Sequence, residues 1–535
     1  WFVQWLDANG FRVIVDPIGN IFGMLDFAGS AAAVVLTRAS VAEVAPMFLA
    51  GAQAVNVIGA DGAILGSLHR DAVVTLMLGG CSMAPDYQRP ELPQGASWQA
   101  DLAAKGELVP WRQQFQDPAL QTLIGTALES NRDLRLAALN VEAYEAKYRI
   151  QRAAQLPTLA ASGSGTRQQG SDDLSSTGQG SISSQYGADI GITAYELDLF
   201  GRIQSLKDQA LENYLAQIET QRSTQIALIA SVANAYLTLL ADQELLALSQ
   251  ATLATEQESY ALTQHKYRLG AASEMELAQG RTALENARVS QAQYQRQVKQ
   301  DRNGLALLLG TDIPVLAAQP ATLAEVKLAP IPVGAPSSLL QQRPDILAAE
   351  HNLKAANANI GAARAAFFPT ISLTATAGTA SNQLSGLFDG GTGTWTFMPQ
   401  INLPIFDGGK RVADLDVAEV GTRQAVASYE KSIQTAFKEV ADTLGAQADY
   451  QQQLQAQQDL VDANQTYFKL AEFRYEQGVD SYLTRLDAQR SLFSARQGLI
   501  STRLAQLSNQ VALYKAVGGG WQAPKEAPAA FEGQG

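Results

Sequence analysis

The sequence predicts an internally duplicated α+β fold in which very long helices alternate with short, half-apolar strands. Three observations predict it: a repeat at a fixed distance, two long helical runs without proline, and strand segments of alternating polarity. The repeat is clearest where YRLGAAS (Tyr267 to Ser273) returns as YEQGVDS (Tyr475 to Ser481), displaced by 208 positions. A repeated unit of this length indicates two copies of one large supersecondary element rather than a solenoid of short repeats.

The two helical runs occupy matching places in the two copies. From Ile203 to about Lys266 the chain has no proline or glycine, and from Val412 to Tyr475 it has only Gly421 and Gly445. Alanine, leucine, glutamine and glutamate dominate both runs, and these residues favour helices. At about 1.5 Å per residue each helix is nearly 100 Å long. The heptad-like spacing of alanine and leucine predicts coiled-coil packing of these helices.

The strand segments alternate in polarity with a period of two. In TISLTAT, Ile371, Leu373 and Ala375 alternate with threonine and serine, and TWTFMPQINLPI follows the same pattern. In the first copy, between about Leu159 and Leu197, one face is predicted to carry Tyr186, Ala188, Ile190, Ile192 and Ala194. Strands of about ten residues with one apolar face fit a transmembrane β-barrel, although strands of a soluble sandwich share the pattern. Because two hairpins cannot close a barrel and lipid cannot satisfy an open edge, the barrel requires oligomerisation.

Composition excludes several classes of function. The chain has 39 basic and 52 acidic residues and a net charge of -13, so nucleic acid is not expected as a partner. Its three histidines are scattered, and no nucleophile elbow, phosphate-binding loop or zinc motif occurs. No uninterrupted apolar run is long enough for a transmembrane helix. We therefore expect neither an enzyme nor a metal site or other cofactor.

The single cysteine, Cys81, ends the sequence LGGC, which looks like a lipobox. An apolar stretch, Ala72 to Leu78, precedes it, and a proline-rich extended segment follows. A lipobox predicts signal cleavage and acylation of Cys81, a palmitate-type lipid anchor, and Ser82 in the next position is the choice associated with the outer membrane. An unpaired cysteine can also be a small buried hydrophobic residue.

Several motifs in order resemble one family, the outer-membrane efflux lipoproteins of the TolC superfamily, in the OprM-like branch. The resemblance covers about Cys81 to Trp521 and rests on PDYQRPELP, DLFGR, RPDILAAEHNL, AAFFPTISL and GVDSYLTRLDAQRSLFSARQ. The resemblance implies a membrane channel that is a homotrimer. Four strands per protomer form a twelve-stranded β-barrel in outer-membrane lipid. The long helices form a coiled-coil barrel that serves as a tunnel through the periplasm. Members are passive exit ducts of tripartite pumps that dock onto a periplasmic membrane-fusion adaptor joined to an inner-membrane RND transporter.

The turns between long helices are the predicted docking tips. The Gly-x-x-Ser elements, Gly270 to Ser273 and Gly478 to Ser481, match the family's adaptor-contacting motif. The same residues are also suited to end one helix and cap the next, and both roles are compatible.

A periplasmic gate is predicted just beyond the second turn. Leu483 and Asp487 are four residues apart and therefore share a helix face. By resemblance they line the tunnel constriction, where three copies would form an apolar ring and a carboxylate ring. Asp480 is the third residue of the predicted gate. It stands where more distant TolC-like proteins carry a basic gating residue, so their salt-bridge lock is not expected here.

The sequence also predicts a division of the chain. Residues 1–80 are expected to be an extraneous or fused segment, weakly similar to half a CBS module and ending in a signal-like stretch. The other predicted segments are the first repeat at 81–310, an equatorial linker at 311–340, the second repeat at 341–517 and a flexible tail at 518–535. A duct for type I protein secretion and a non-channel structural coiled coil are the rival functions.

Overall fold

A computed structural model describes residues 82–91, 110–171, 173, 180–316, 322–331 and 343–519, and the backbone of four short strands before them. Those strands are β1 (Arg12–Val15), β2 (Ile21–Met24), β3 (Ala54–Ile58) and β4 (Ile64–His69), paired antiparallel as β1-β2 and β3-β4. Cys81 lies outside the described residues.

The described chain is mostly helical. The helices are α1 (Trp111–Gln114), α2 (Pro118–Ser130), α3 (Arg132–Ala153), α4 (Arg202–Arg268), α5 (Glu274–Leu309), α6 (Pro344–Ala365), α7 (Lys410–Glu476) and α8 (Tyr482–Ala516). The two predicted long helices are confirmed, since α4 and α7 contain 67 residues each. The chain divides into two compact units: Trp1–Asp86, Ile150–Asp208 and Asn357–Glu419 form the first, and Tyr87–Arg149, Gln209–Ala356 and Val420–Gly535 form the second.

The first unit contains a four-stranded antiparallel sheet. Its strands are β5 (Leu159–Gln169), β6 (Ile182–Leu197), β7 (Thr370–Ser381) and β8 (Gly393–Asn402), in the order β5-β6-β7-β8. The register places Ala375 opposite Phe397 and Ala377 opposite Trp395. Directly opposite residues share a face of the sheet, so these apolar residues lie together. Thr374, Thr376 and Gln400 lie on the other face, together with Met398.

One prediction for β6 is wrong in detail. The pairing of β6 with β7 shifts between Ile192 and Tyr195, so that Tyr195 lies opposite Leu373. Ala194 has a positive φ of 53°, and its N–H donates to the hydroxyl of Thr374 on the polar face. The extra residue is a β-bulge, which reverses the alternation. Tyr195 therefore continues the apolar face in place of Ala194.

Two glycines allow the strands of this sheet to approach closely. A Cβ added to Gly378 would lie 2.1 Å from the carbonyl oxygen of Ala188, and one added to Gly191 would lie 2.2 Å from that of Ala375. Both obstacles are backbone atoms in neighbouring strands, which cannot move without disturbing the ladder. No side chain is therefore compatible with either position.

The second unit has an apolar core built from α2, α4, α5, α7 and α8. Phe115 and Tyr514 meet edge to face in it, with ring centroids 5.2 Å apart. Helix α4 contains a stretch apolar enough to cross a membrane, and 61% of that stretch is buried within the protein. This apolarity is therefore typical of a core helix.

Two residues that precede the helices, Tyr87 and Arg89, are hydrogen-bonded to α6 within the second unit. The carboxylate of Glu350 accepts hydrogen bonds from the Tyr87 hydroxyl, at 3.3 Å, and from the Arg89 guanidinium. Lys354 adds an ion pair at 3.3 Å. Burial opposes ionisation of Glu350, but Arg89 and Lys354 together hold its pKa below the usual value.

Candidate functional site

The first predicted tip is the turn between α4 and α5. Gly270 has a φ of +75°, the Ala271 N–H donates to the Lys266 carbonyl at 2.8 Å, and the Gly270 N–H donates to that of Tyr267 at 2.9 Å. This pair of bonds is a Schellman motif, which requires a left-handed residue. Ser273 then caps α5: its hydroxyl accepts from the Glu276 N–H, and the Glu276 carboxylate accepts from the Ser273 N–H at 2.7 Å. This capping box fixes the start of α5.

The second tip, between α7 and α8, repeats this geometry. Gly478 has a φ of +72°, and the Val479 N–H donates to the Arg474 carbonyl at 2.9 Å. The Ser481 hydroxyl accepts from the N–H of Thr484 at 3.3 Å. Thr484 stands where the first tip has a glutamate, so this cap lacks the reciprocal carboxylate bond. The helix-capping role predicted for both Gly-x-x-Ser elements is therefore present.

Asp480 is held by an arginine inside the second turn. The Arg474 guanidinium donates to both carboxylate oxygens, with Nε to Oδ2 at 2.7 Å and Nη2 to Oδ1 at 3.0 Å. The side-chain bond with Arg474, more than its charge alone, holds the pKa of Asp480 below the usual value. Asp480 thus acts within its own turn in one protomer.

The two tips pack against each other within the second unit. Tyr482 is buried with Ala283 and Leu486, and Tyr475 packs against them. The Tyr475 and Tyr482 rings are 5.6 Å apart between centroids. The Tyr482 hydroxyl lies 3.1 Å from where a Cβ on Gly280 would be. This glycine therefore admits the tyrosine ring between the tips.

Arg485 of α8 contacts two other helices, α4 and α7. The residue is 8% exposed, its Nη1 donates to the Ser259 hydroxyl of α4 at 3.0 Å, and its Nη2 pairs with Glu472 of α7 at 3.2 Å. Burial raises the pKa of nearby Glu256, and the charges of Arg485 and Arg490 partly offset that rise. Arg485 therefore fixes the base of α8 against both long helices.

The predicted gate residues lie on the opposite face of α8. Leu483 is 54% exposed, and Asp487 is exposed as well. Arg490, one helical turn further along, is exposed on the same side. The leucine and the carboxylate are exposed on one face of α8, and their place in a constriction stays a prediction.

Sequence reasoning missed Arg474, Arg485 and Arg490. Arg490 follows Asp487 at a spacing of three and could have been found from helix periodicity. Arg474 is separated from Asp480 by a turn, and Arg485 meets a serine far away in the sequence, so neither pairing has a signal at helical spacing. Among the described residues no group of three or more histidine, cysteine, aspartate or glutamate side chains could hold a metal ion.

The long helices, the half-apolar sheet and the two glycine-centred tips all lie in the part of the chain that matches a known family. A family model described as "outer membrane efflux protein" matches residues 123–311 and 335–519. The chain belongs to this family, which confirms the resemblance, the outer-membrane location and the role in efflux.

Known relatives are similar over most of their length. The probable efflux pump outer membrane protein TtgC of Pseudomonas putida is 57% identical over 465 residues, covering 85% of this chain and 96% of the relative. The antibiotic efflux pump outer membrane protein ArpC of Pseudomonas putida matches to the same extent. The open-state crystal structure of the MtrE outer membrane channel of Neisseria gonorrhoeae is similar with a TM-score of 0.74 and 39% identity, covering 82% of this chain and 98% of that one.

Proposed function

We propose that the chain is the exit duct of a tripartite RND-type efflux pump, passively conducting small toxic molecules from a periplasmic adaptor and an inner-membrane transporter to the outside. The observation that carries the proposal is the presence in one chain of a half-apolar sheet and two helices of 67 residues. Each helix is about 100 Å long, three times the roughly 30 Å hydrocarbon thickness of a bilayer. The strands, at 10 to 16 residues, suit a membrane span.

The exposed face of the sheet supports its insertion into lipid. Trp395 is 79% exposed and Phe397 61% exposed, and Ile401 continues their face. Such a surface is unfavourable in water and is typical of the lipid-facing side of a membrane strand. The opposite face carries threonine, serine and Gln400, which suit a wet lumen.

The edges of the sheet support a homotrimer. Strands β5 and β8 each have one neighbour among the described strands. An open edge in lipid leaves backbone groups without partners, and the smallest membrane barrels have eight strands. Several copies are therefore needed, and the family resemblance favours three copies and a barrel of twelve strands. The equal length of α4 and α7 likewise supports an internal duplication.

The two capped turns support docking of the adaptor. A Cβ added to Gly270 or to Gly478 would have no atom within 4 Å, so another protein can approach the backbone closely at each tip. We assign Gly270, Ser273, Gly478 and Ser481 to this contact, and Leu483 and Asp487 to the gate. Because close relatives are named for efflux pumps, one of them for antibiotics, we expect antibiotics or similarly small toxic molecules as cargo.

The proposal is tested with the purified full chain and with a deletion strain. We expect a heat-modifiable trimer on a gel, discrete single-channel conductance in planar bilayers, and greater sensitivity to antibiotics after deletion. A monomer without conductance would support the structural coiled coil instead. Unchanged antibiotic sensitivity with loss of a secreted protein would support a type I secretion duct.

A further inference from the structure

Asp189 of β6 lies in a row of four residues that crosses the whole sheet. It pairs with Ser162 of β5 and with Gly378 of β7, and Gly378 pairs in turn with Thr394 of β8. Directly opposite residues share a face, and successive residues of a strand alternate between faces. Trp395, the next residue of β8, is on the exposed apolar face, so the Asp189 row is on the opposite, polar face.

Glycine occupies three of the positions around Asp189 on the polar face. Gly187 and Gly191 are two residues away along β6, and Gly378 is directly opposite on β7. A Cβ added to Gly378 would lie 2.7 Å from the Cα of Asp189, and one added to Gly191 would lie 2.2 Å from the carbonyl oxygen of Ala375. Because no side chain projects from these three positions, the carboxylate is not covered from any of them.

The charge of Asp189 is not neutralised within the part of the chain that the structure describes. No ion pair joins it to a basic side chain there, and the Ser162 hydroxyl is 3.5 Å from Oδ2, longer than the about 2.5–3.0 Å of a normal O–H···O bond. The single basic residue of the four strands, Arg167, is an odd number of positions from Ser162 and so lies on the other face. The other acidic residue of the strands, Glu196, accepts a hydrogen bond from Nε of Arg202 at 2.8 Å and is therefore paired.

An unpaired carboxylate on this face has a specific consequence in the proposed duct. There the polar face would line a water-filled lumen, and three copies of Asp189 would form a ring of negative charge. Walls of low dielectric constant focus the field of such a ring, and rings of aspartate select cations. The field reaches mobile ions within a Debye length, which is about 10 Å at 0.1 M salt.

We propose that Asp189 attracts cations within the strand region of the duct and contributes to its ion selectivity separately from the predicted gate at Asp487. This role rests on the proposed function, because it requires the polar face of the sheet to line the lumen. It implies that positively charged small molecules pass the sheet more readily than negatively charged molecules of the same size.

Reversal potentials of single channels in planar bilayers under a salt gradient test this role, since they report the ratio of cation to anion permeability. The full chain carries Asp487→Ala in these recordings, so that the predicted gate does not determine the selectivity. Adding Asp189→Asn, which keeps the size of the side chain, should shift the reversal potential toward lower cation preference at about 0.1 M salt. The shift should disappear at about 1 M salt, where the Debye length is about 3 Å.

Thr394 allows the charge to be moved within the same row. Its side chain is exposed and lies two strands from Asp189, a distance of about 10 Å. Thr394→Asp added to Asp189→Asn should restore the cation preference, whereas Thr394→Asn is the neutral control and should not. If Asp189→Asn does not assemble, the smaller Asp189→Ser should give the same shift, and Thr394→Asp alone should raise the cation preference.

The recordings separate this role from the duct itself. A wild-type chain that does not conduct would contradict the proposed duct, and the role of Asp189 would fail with it. A conducting channel whose reversal potential at about 0.1 M salt is unchanged by Asp189→Asn and by Thr394→Asp would leave the duct intact and overturn only the role of Asp189.

Discussion

At the scale of single residues, the two tip glycines act through backbone conformation. Gly270 and Gly478 both adopt a left-handed φ in open space. Open space excludes a steric clash, so any cost of substitution comes from the backbone alone. For residues with a side chain this conformation costs about 1–2 kcal/mol.

Gly478→Ala should therefore destabilise the second tip by about 1 kcal/mol. Gly445→Ala is the matched control: it also lies in open space but in the middle of α7, where alanine should stabilise by roughly 0.5–1 kcal/mol. Opposite shifts in the temperature of trimer dissociation would confirm that backbone conformation sets the cost.

A charged residue at Gly270 or Gly478 should abolish cross-linking to the adaptor while the trimer still forms. Intact cross-linking would make the docking assignment wrong.

The predicted gate residues, Leu483 and Asp487, lead to a second prediction at the scale of single residues. In the proposed trimer, three Asp487 carboxylates around a narrow axis would favour cations, and three Leu483 side chains would form an apolar barrier to water and ions. Asp487→Ala should reduce cation preference and block by divalent ions, whereas Leu483→Ser should mainly raise conductance. Asp462→Ala, exposed on α7, is the control for charge alone. Bilayer recordings with unchanged selectivity in Asp487→Ala would place the constriction elsewhere.

At the scale of elements, the sheet depends on glycine for strand spacing. Gly378→Ala places a Cβ 2.1 Å from the carbonyl oxygen of Ala188, so β6 and β7 must separate. The variant should fail to form a heat-modifiable trimer in outer-membrane fractions. Gly393→Ala, at the start of β8 with no atom within 4 Å, should assemble normally. Equal assembly of both variants would mean that the strand spacing tolerates the methyl group.

The sequence predicts elements better than it predicts contacts between them. The long helices follow from the absence of proline and the scarcity of glycine, and the strands follow from alternation, because both signals are local. The bulge at Ala194 has no local signal, since its sequence continues the alternation that the pairing breaks. The Arg485 contacts join residues that are distant in the sequence, so no helix periodicity predicts them. Packing in three dimensions decides these features.

At the scale of the whole molecule, the chain combines a sheet suited to lipid with helices suited to water, and the predicted lipid anchor precedes both. The segment after Cys81 is held in place by Tyr87 and Arg89, which donate to Glu350 of α6. This attachment does not involve Cys81. Folding of the helices and strands should therefore be independent of acylation.

Cys81→Ser tests the anchor together with this independence. The variant should lose palmitate labelling completely, because Cys81 is the single cysteine of the chain. It should still form the trimer and conduct in bilayers, since the proposed barrel would be a second means of membrane attachment and one acyl chain binds a membrane only weakly. Ser82→Ala is the control and should remain labelled. Labelling that persists in Cys81→Ser would refute the site, and loss of the trimer would show that acylation contributes to assembly.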